Sequence, residues 1–468
     1  MRRILPPNVF IFSIFICLGL GLSTSLCGQM VEVDSIQFKG NERSKRSILR
    51  RELDFKEGDL LDLNEIDKKL EFSRRKLMNT NLFIWVRSEY HLTKSGKLSI
   101  NFDVLEQWYF LGYPVFQLAD RNLNEWWARG HPLDRAIYGI HLLHNNFRGR
   151  AERLMLKAET GFTQRLEFSY NNPYVDRKKT LGIGFNLDYL TSKNIAYKTQ
   201  ADTLVYLGSE NILREKWSGG ISFRKRFRFY DFQTFEVKYS HNLVSDTITK
   251  LNPAYFQGKS NEQNFMQLGY TFSYDFRDYV VYPLVGKKID ISFQKYGVLA
   301  QDEINFWEIN AGLSYFFDLG KKFYFSSQFK GKITQDGATV PYANQRGLGY
   351  RNEVVRGFEL KVVDGTDYFL SRNTLKYQLY KQIIPLSFIP YKQFNQMPLS
   401  IYPTAFLDLA YVNQANRVET KSNFANKWLF GYGVGLDIVT YYNFVLKMAL
   451  PFNNGGKYGF VVGLGREF

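Results

Sequence analysis

Ile221-Ser222-Phe223-Arg224-Lys225-Arg226-Phe227-Arg228-Phe229 decides the fold. Ile221, Phe223, Phe227 and Phe229 alternate with Ser222, Arg224, Arg226 and Arg228. The next stretch sets Phe235, Val237 and Tyr239 against Thr234, Glu236, Lys238 and Ser240. A period of two is the mark of a strand. A face of rings backed by a face of charges is inverted relative to a soluble barrel; it fits lipid outside and water inside.

The same pattern runs outward from this point to both sides. About sixteen stretches of alternating hydrophobicity follow Trp108, beginning near residues 108, 136, 151, 163, 180, 216, 232, 264, 287, 304, 321, 366, 399, 428, 442 and 457; other boundaries would make them fourteen. No helical period is read after Trp108. The long gaps at 191 to 215, 245 to 263, 335 to 365 and 412 to 427 follow odd-numbered strands. The tight turns at Tyr230-Asp231 and Asp318 to Gly320 follow even ones, which is the long-outside, short-inside asymmetry of outer-membrane barrels. Residues 382 to 398 disobey it and read as a long turn on the short-loop side. The expected fold is an all-β transmembrane barrel of about sixteen antiparallel strands over 108–468, behind one small α+β domain.

Composition agrees with that class. The chain holds 41 Phe, 31 Tyr and 7 Trp among 468 residues, enough for a lipid face with interfacial girdles; by composition alone a large secreted β-sandwich or propeller competes. Arg2 and Arg3 ahead of an apolar run from Val9 to Leu22 read as a secretory signal over 1–27, with a lipoprotein signal at Cys27 as the competitor. Cys17 and Cys27 are the two cysteines. Both fall in that segment, so neither a disulfide nor thiol chemistry is expected beyond it. The five histidines include His141 and His144, whose offset in a strand points them to opposite faces. No metal or cofactor is expected. The net charge of +16 is dispersed over alternating strands, which points to lumen lining and lipid phosphates and away from nucleic acid.

Residues 30–107 read differently: a strand from Val33 to Lys39, a helix near Ser44 to Leu53, a longer helix carrying Leu63, Ile66, Leu70 and Leu77, then a hairpin from Leu82 to Tyr90 and Lys97 to Leu105. In the last strand Leu98, Ile100, Phe102 and Val104 alternate with polar residues, giving one buried and one wet face. This order resembles a POTRA domain, and the barrel text resembles the BamA/TamA family of outer-membrane proteins. Ile36 to Asn41 and Leu82-Phe83 look like the domain's strand signatures.

Within the barrel, Val355-Arg356-Gly357-Phe358 resembles the family's sixth-loop motif, which folds back into the lumen and docks through its arginine. Asp408, inward between Phe406 and Ala410, is the docking carboxylate that the resemblance implies. Lys376 departs from the pattern, since an inward glutamate is common there. Asp275, Arg277 and Asp278, followed by Pro283 and Gly286, resemble the family's turn between strands eight and nine; the two aspartates would hold Arg277 and cap turn amides. At the closing seam, Gly112 and Pro114 weaken the first strand and Gly459, Gly463 and Gly465 the last, which ends on Phe468. A weak seam suits a lateral gate; ordinary barrel curvature is the alternative.

No phosphate loop, nucleophile elbow or zinc spacing appears, so catalysis is not expected. The resemblance implies a factor that inserts or translocates unfolded outer-membrane or secreted client proteins, in contact with outer-membrane lipids and accessory envelope proteins. Two alternatives are a two-partner-type secretion pore with a dedicated client, which would normally carry two POTRA modules and a plug helix, and a passive pore or anchor.

Overall fold

The computed structural model describes residues 29–118, 127, 136–257, 260–335, 340–350, 353–414, 422–440, 444–454 and 459–464. The expected signal segment and Phe468 lie outside these.

The N-terminal unit comprises β1 (Met30–Lys39), α1 (Arg46–Arg51), β2 (Leu60–Asp62), α2 (Ile66–Asn79), β3 (Phe83–Leu92) and β4 (Leu98–Glu106). Its sheet order is β2-β1-β4-β3, with β1 parallel to β4; the short β2 is an addition to the expected order. Leu98, Ile100, Phe102 and Val104 point from β4 into the core, where Ile66, Leu70 and Leu77 on one stripe of α2 meet them. That stripe repeats every three to four residues, which is why the segment coils into a helix and lies on the sheet.

The barrel follows as β5 (Phe110–Leu118), β6 (Ala136–Phe147), β7 (Glu152–Gly161), β8 (Thr163–Asn172), β9 (Leu181–Ser192), then a separate hairpin of β10 (Asn194–Gln200) and β11 (Thr203–Gly208). It continues with β12 (Arg214–Arg226), β13 (Asp231–Val244), β14 (Glu262–Arg277), β15 (Gly286–Tyr296), β16 (Phe306–Gly320), β17 (Phe323–Thr334), β18 (Asp367–Tyr377), β19 (Tyr380–Pro385), β20 (Gln396–Asn413), β21 (Trp428–Val439), β22 (Val445–Asn453) and β23 (Val461–Leu464). The sheet closes on itself, β23 standing beside β5. Both β18 and β19 pair with β20, so the two are one interrupted wall strand and the barrel has sixteen positions.

Register carries out the alternation. Phe223 lies opposite Phe235 and Ile221 opposite Val237, all facing outward, while Ser222 opposes Glu236 and Arg224 opposes Thr234 on the inner face. Each outer ring thus has a ring or branched neighbour across the ladder, which stabilises the pairing.

Three local expectations need correction. Residues 382–398 are not a long turn: β19 and β20 remain paired out to Pro385 opposite Gln396, the ladder running on past the rim, and only residues 386–395 turn. The connections 191–215 and 245–263 are not plain loops. The first holds the β10–β11 hairpin, and the second a short helix, α3 (Asp246–Leu251), capped by the Ser245 hydroxyl accepting from the Thr247 amide. Helices therefore do occur after Trp108.

The N-terminal unit is fastened beneath one end of the barrel. Arg226 of β12 donates both guanidinium arms to Glu52 at 3.0 and 3.2 Å, and the Tyr174 hydroxyl donates to the same carboxylate at 2.6 Å. Asn79, at the end of α2, donates to the carbonyls of Arg277 and Asp278 and accepts from the Val280 amide. Phe72 packs among Phe229, Tyr230 and Phe276, with the Lys76 ammonium 3.5 Å from the Tyr230 ring centre. Burial in that aromatic nest pushes Lys76 down to about 8. The Lys45 amide donates to Gly149. The barrel turns that meet the unit all follow even-numbered wall strands.

Glu52 and Arg226 are both buried. Removing one leaves an uncompensated buried charge, at a cost of about 3–5 kcal/mol. Glu52→Ala is therefore expected to release the N-terminal unit, read as faster amide exchange in α1 and α2 with barrel strands unchanged; Lys76→Met, in which an apolar chain stays in the ring nest and the lost ring contact is offset by the lost desolvation cost, is expected to leave exchange in α1 and α2 near that of the unsubstituted chain.

Candidate functional site in the barrel lumen

Loop six, between β17 and β18, turns inward and rests on the inner wall of the strands that follow it. Leu348, Val355, Phe358 and Val363 are buried against Leu370 of β18, Ala410 and Val412 of β20, and Leu429 of β21. Apolar side chains in an otherwise wet bore have few places to hide, and this patch supplies one.

Arg356 carries the polar half of the docking. Its Nε donates to Asp408 Oδ2 at 2.9 Å, Nη2 donates to Oδ1, and its backbone amide reaches Oδ2 at 3.0 Å. The remaining donors go to Thr374 Oγ1 at 3.1 Å and the Asn373 carbonyl at 3.3 Å, and the guanidinium lies 4.0 Å from the Phe406 ring centre. Asp408 has no solvent exposure. A planar fork on a carboxylate is the strongest geometry available to such a pair. With hydroxyl, carbonyl and aromatic face taking the other donors, the ion pair is close to fully satisfied.

Gly357 sits at φ +95°, and a Cβ there would come within 2.8 Å of the Phe452 carbonyl. Asn453 donates to its carbonyl. Asn453, Thr374 and the Asn373 carbonyl escaped the sequence reading as partners of this loop, and two further contacts did so as well. Arg372 of β18 donates to the Val354 carbonyl at 2.7 Å. Gly431 of β21 gives the loop its room: a Cβ there would fall 1.8 Å from the Arg356 carbonyl. The period-two run Gly431, Gly433, Gly435 was the available signal, since glycine weakens a strand interior unless another backbone approaches closely.

The turn between β14 and β15 also enters the lumen. Asp275 holds Arg277 through Nε and Nη2 at 2.8 and 2.7 Å. Asp278 does not share that guanidinium; its Oδ1 accepts from the Tyr279 and Leu284 amides at 2.8 and 3.0 Å and folds the turn. Gly286, at φ +115°, would place a Cβ 2.0 Å from the Phe276 carbonyl. The turn's apex reaches across the bore: Val281 and Tyr282 are buried with Tyr402 of β20 and Val445 of β22, and the Tyr282 hydroxyl donates to Asp437 of β21 at 2.9 Å.

Lys376 finds its partner here. Its ammonium lies 4.3 Å from the Tyr282 ring centre and donates to the Pro283 carbonyl at 3.3 Å. The residue that breaks the sixth-loop pattern thus serves the internal turn instead, and Thr374 and Asn373 take the guanidinium donors that a glutamate would have taken. Because Asn79 of α2 grips the same turn at Arg277, Asp278 and Val280, one continuous set of contacts links the N-terminal unit to β20, β21 and β22.

At the seam, Gly112 and Pro114 of β5 stand opposite Leu142 and Ile140 of β6. Gly463 of β23 stands opposite Lys447 of β22 and has open space where a Cβ would be. Gly465 and Phe468 lie outside the described residues. His141 faces Glu159 at 2.6 Å, and His144 stacks near Phe110 and Phe147, so the two rings do not share a site.

This sixteen-position barrel, with a loop and a turn folded into it, matches known proteins in sequence model and in shape. Residues 146–468 match the model of the Omp85 superfamily domain. The chain belongs to the Omp85 superfamily. Residues 31–107 match the POTRA model, described as a surface antigen variable number repeat. Among solved structures, BamA from Haemophilus ducreyi lacking POTRA domains 1–3 is similar at a TM-score of 0.55 and 16% identity, over 93% of this chain and 84% of that one. CdiB from Escherichia coli is similar at a TM-score of 0.54 and 13% identity, over 93% and 75%. At such identities the likeness is one of fold. A search of curated proteins returns no significant match. The chain is therefore an outer-membrane Omp85 barrel with one POTRA domain.

Arg356→Ala strands a buried carboxylate, and Gly431→Val collides with the loop backbone. Both variants are expected to undock loop six and raise single-channel conductance in planar bilayers to a common value, whereas Arg346→Ala, at a residue away from the Asp408 contact, leaves conductance unchanged.

Proposed function

We propose that this Omp85 protein assembles or inserts other outer-membrane proteins from the periplasmic side, receiving an unfolded client at its POTRA domain and passing it to the seam between β23 and β5. The observation that carries this reading is the occupied bore: loop six is pinned on Asp408 and the turn apex on Asp437, so the lumen is built to be stoppered rather than to conduct. That disfavours a passive pore.

The POTRA sheet ends on β3, which pairs on one side only with β4 and exposes Tyr90 and Leu92. Such an edge accepts an extended chain by main-chain hydrogen bonding. At the seam, Pro114 lacks an amide donor and Gly112 and Gly463 lack side chains, so an incoming strand displaces comparatively little. The energy comes from the client, whose backbone groups must all be satisfied once in lipid. Outer-membrane lipids around the aromatic belt, accessory envelope proteins and the client itself are the partners of this reading.

Depletion followed by quantification of the outer-membrane proteome tests it. Loss of many barrel proteins is expected; loss of one secreted protein with the barrel proteome intact would assign the chain to dedicated export, and no change would leave only an anchor. Cysteine pairs scanned between 110–116 and 461–464 add a direct test of the seam: oxidation is expected to abolish client insertion and reduction to restore it.

A further inference from the structure

Between the POTRA domain and the barrel wall lies a cavity of about 860 Å³ whose lining is strongly basic. Its floor is Glu52, Lys76 and Asn79 of the POTRA helices and their flanks, and its walls come from β7, β8, β12, β13, β14 and β15. The cavity therefore exists only as a joint product of the two domains.

Its charges do not cancel. Glu52 is committed to Arg226, and Asp275 to Arg277. Two further wall cations are answered by carboxylates behind them, Lys157 by Glu167 at 3.1 Å and Lys288 by Asp290 at 2.6 Å. Arg153 also lines the wall and has an interaction of its own, whereas Lys76 and Arg224 each stand without a carboxylate partner among the described residues. Aromatic faces hold both: Lys76 over Tyr230, and the Arg224 guanidinium 4.1 Å from the Phe232 ring centre. A ring face orients a cation and leaves its N–H donors unspent.

Other inward cations are treated differently. Arg356, Arg372 and Lys376 discharge their donors on Asp408, the Val354 carbonyl and the Pro283 carbonyl. Arg224 instead projects into open cavity space with its fork available, and Ser169, Asn171 and Ser273 supply neutral hydrogen-bonding groups around it. Like charges confined between low-dielectric walls focus a positive potential and draw a counter-charge. A planar guanidinium and an ammonium lining one cavity suit the oxygens of a phosphate better than a halide, and the volume has room for an organic phosphate, more than a bare ion needs.

We infer that the cavity between the POTRA domain and the lumen wall is a binding site for a phosphate monoester, with Arg224 and Lys76 as its recognition residues. A ligand there would touch both domains at once and so hold the POTRA domain in the docked position. This goes beyond the client-handling reading and does not depend on it.

Isothermal titration of the full chain in detergent at physiological ionic strength tests the site, with glucose 1-phosphate as soluble probe and glucose and sulfate as comparators. A parallel arm uses mixed micelles carrying phosphatidic acid, so that a lipid headgroup and a soluble sugar phosphate are told apart. Saturable binding in either arm is expected, with at least a ten-fold loss in Arg224→Gln and in Lys76→Met. Arg165→Gln, whose guanidinium is held by Asp188, is expected to leave affinity unchanged, and heat-modifiable migration of each variant reports an intact barrel. Equal binding of sulfate or glucose, undiminished affinity in Arg224→Gln, or tighter capture of an acidic peptide than of either phosphate would overturn the site.

Discussion

A strand in hydrocarbon must find a partner for every amide and carbonyl, and no water is there to supply one. The architecture of the barrel follows from that demand. It forces the wall to close, it sends rings outward at every second residue, and it leaves the alternate positions to meet in a wet interior. The interior then acquires charges, and charges in a bore a few side chains wide must be answered. Asp408 and Asp437 are the two answers that matter most, because each recruits a segment from elsewhere: loop six through Arg356, and the β14–β15 turn through Tyr282.

These two insertions divide the lumen between them. Loop six is supported by β18, β20 and β21, with its backbone lying against Gly431. The turn is supported by β20, β21 and β22 and by Lys376, with its root in the grasp of Asn79. Neither is held by an isolated contact. The POTRA domain consequently does not hang from the barrel by its linker alone; Glu52 with Arg226, and Asn79 with the turn, make its position and the turn's position one structural variable. A movement of α2 would be felt at Asp437, two strands from the seam.

Much of this is legible in the sequence. The alternation around Ile221 to Phe229 declares a lipid-facing wall, and the helical stripe Ile66, Leu70, Leu77 declares a packed helix beneath a sheet. Arg356 and Asp408, coupled through a family likeness, prove to be in contact. What escaped reading shares one physical character. Glu52 with Arg226, Asn79 with Asp278 and Lys376 with Pro283 join residues 93 to 199 positions apart, and no local period announces a partner so far along the chain. Lys376 looked like a defect because only its neighbours in sequence were in view. The β19–β20 ribbon hides for a different reason: prolines at 385 and 398 look like turn residues, yet both stand in the paired ribbon, and an edge strand tolerates proline.

The glycine run of β21 carries a consequence for the order of events. Loop six is synthesised between β17 and β18, but the surface that receives it, Asp408 on β20 and the hollow at Gly431, comes later in the chain. Until those strands are laid down, the guanidinium of Arg356 has no carboxylate and the apolar flank of Phe358 has no cover. The wall must therefore be curled around its own stopper before the stopper can seat, and the C-terminal strands set the moment at which the nascent cylinder stops being an open trough.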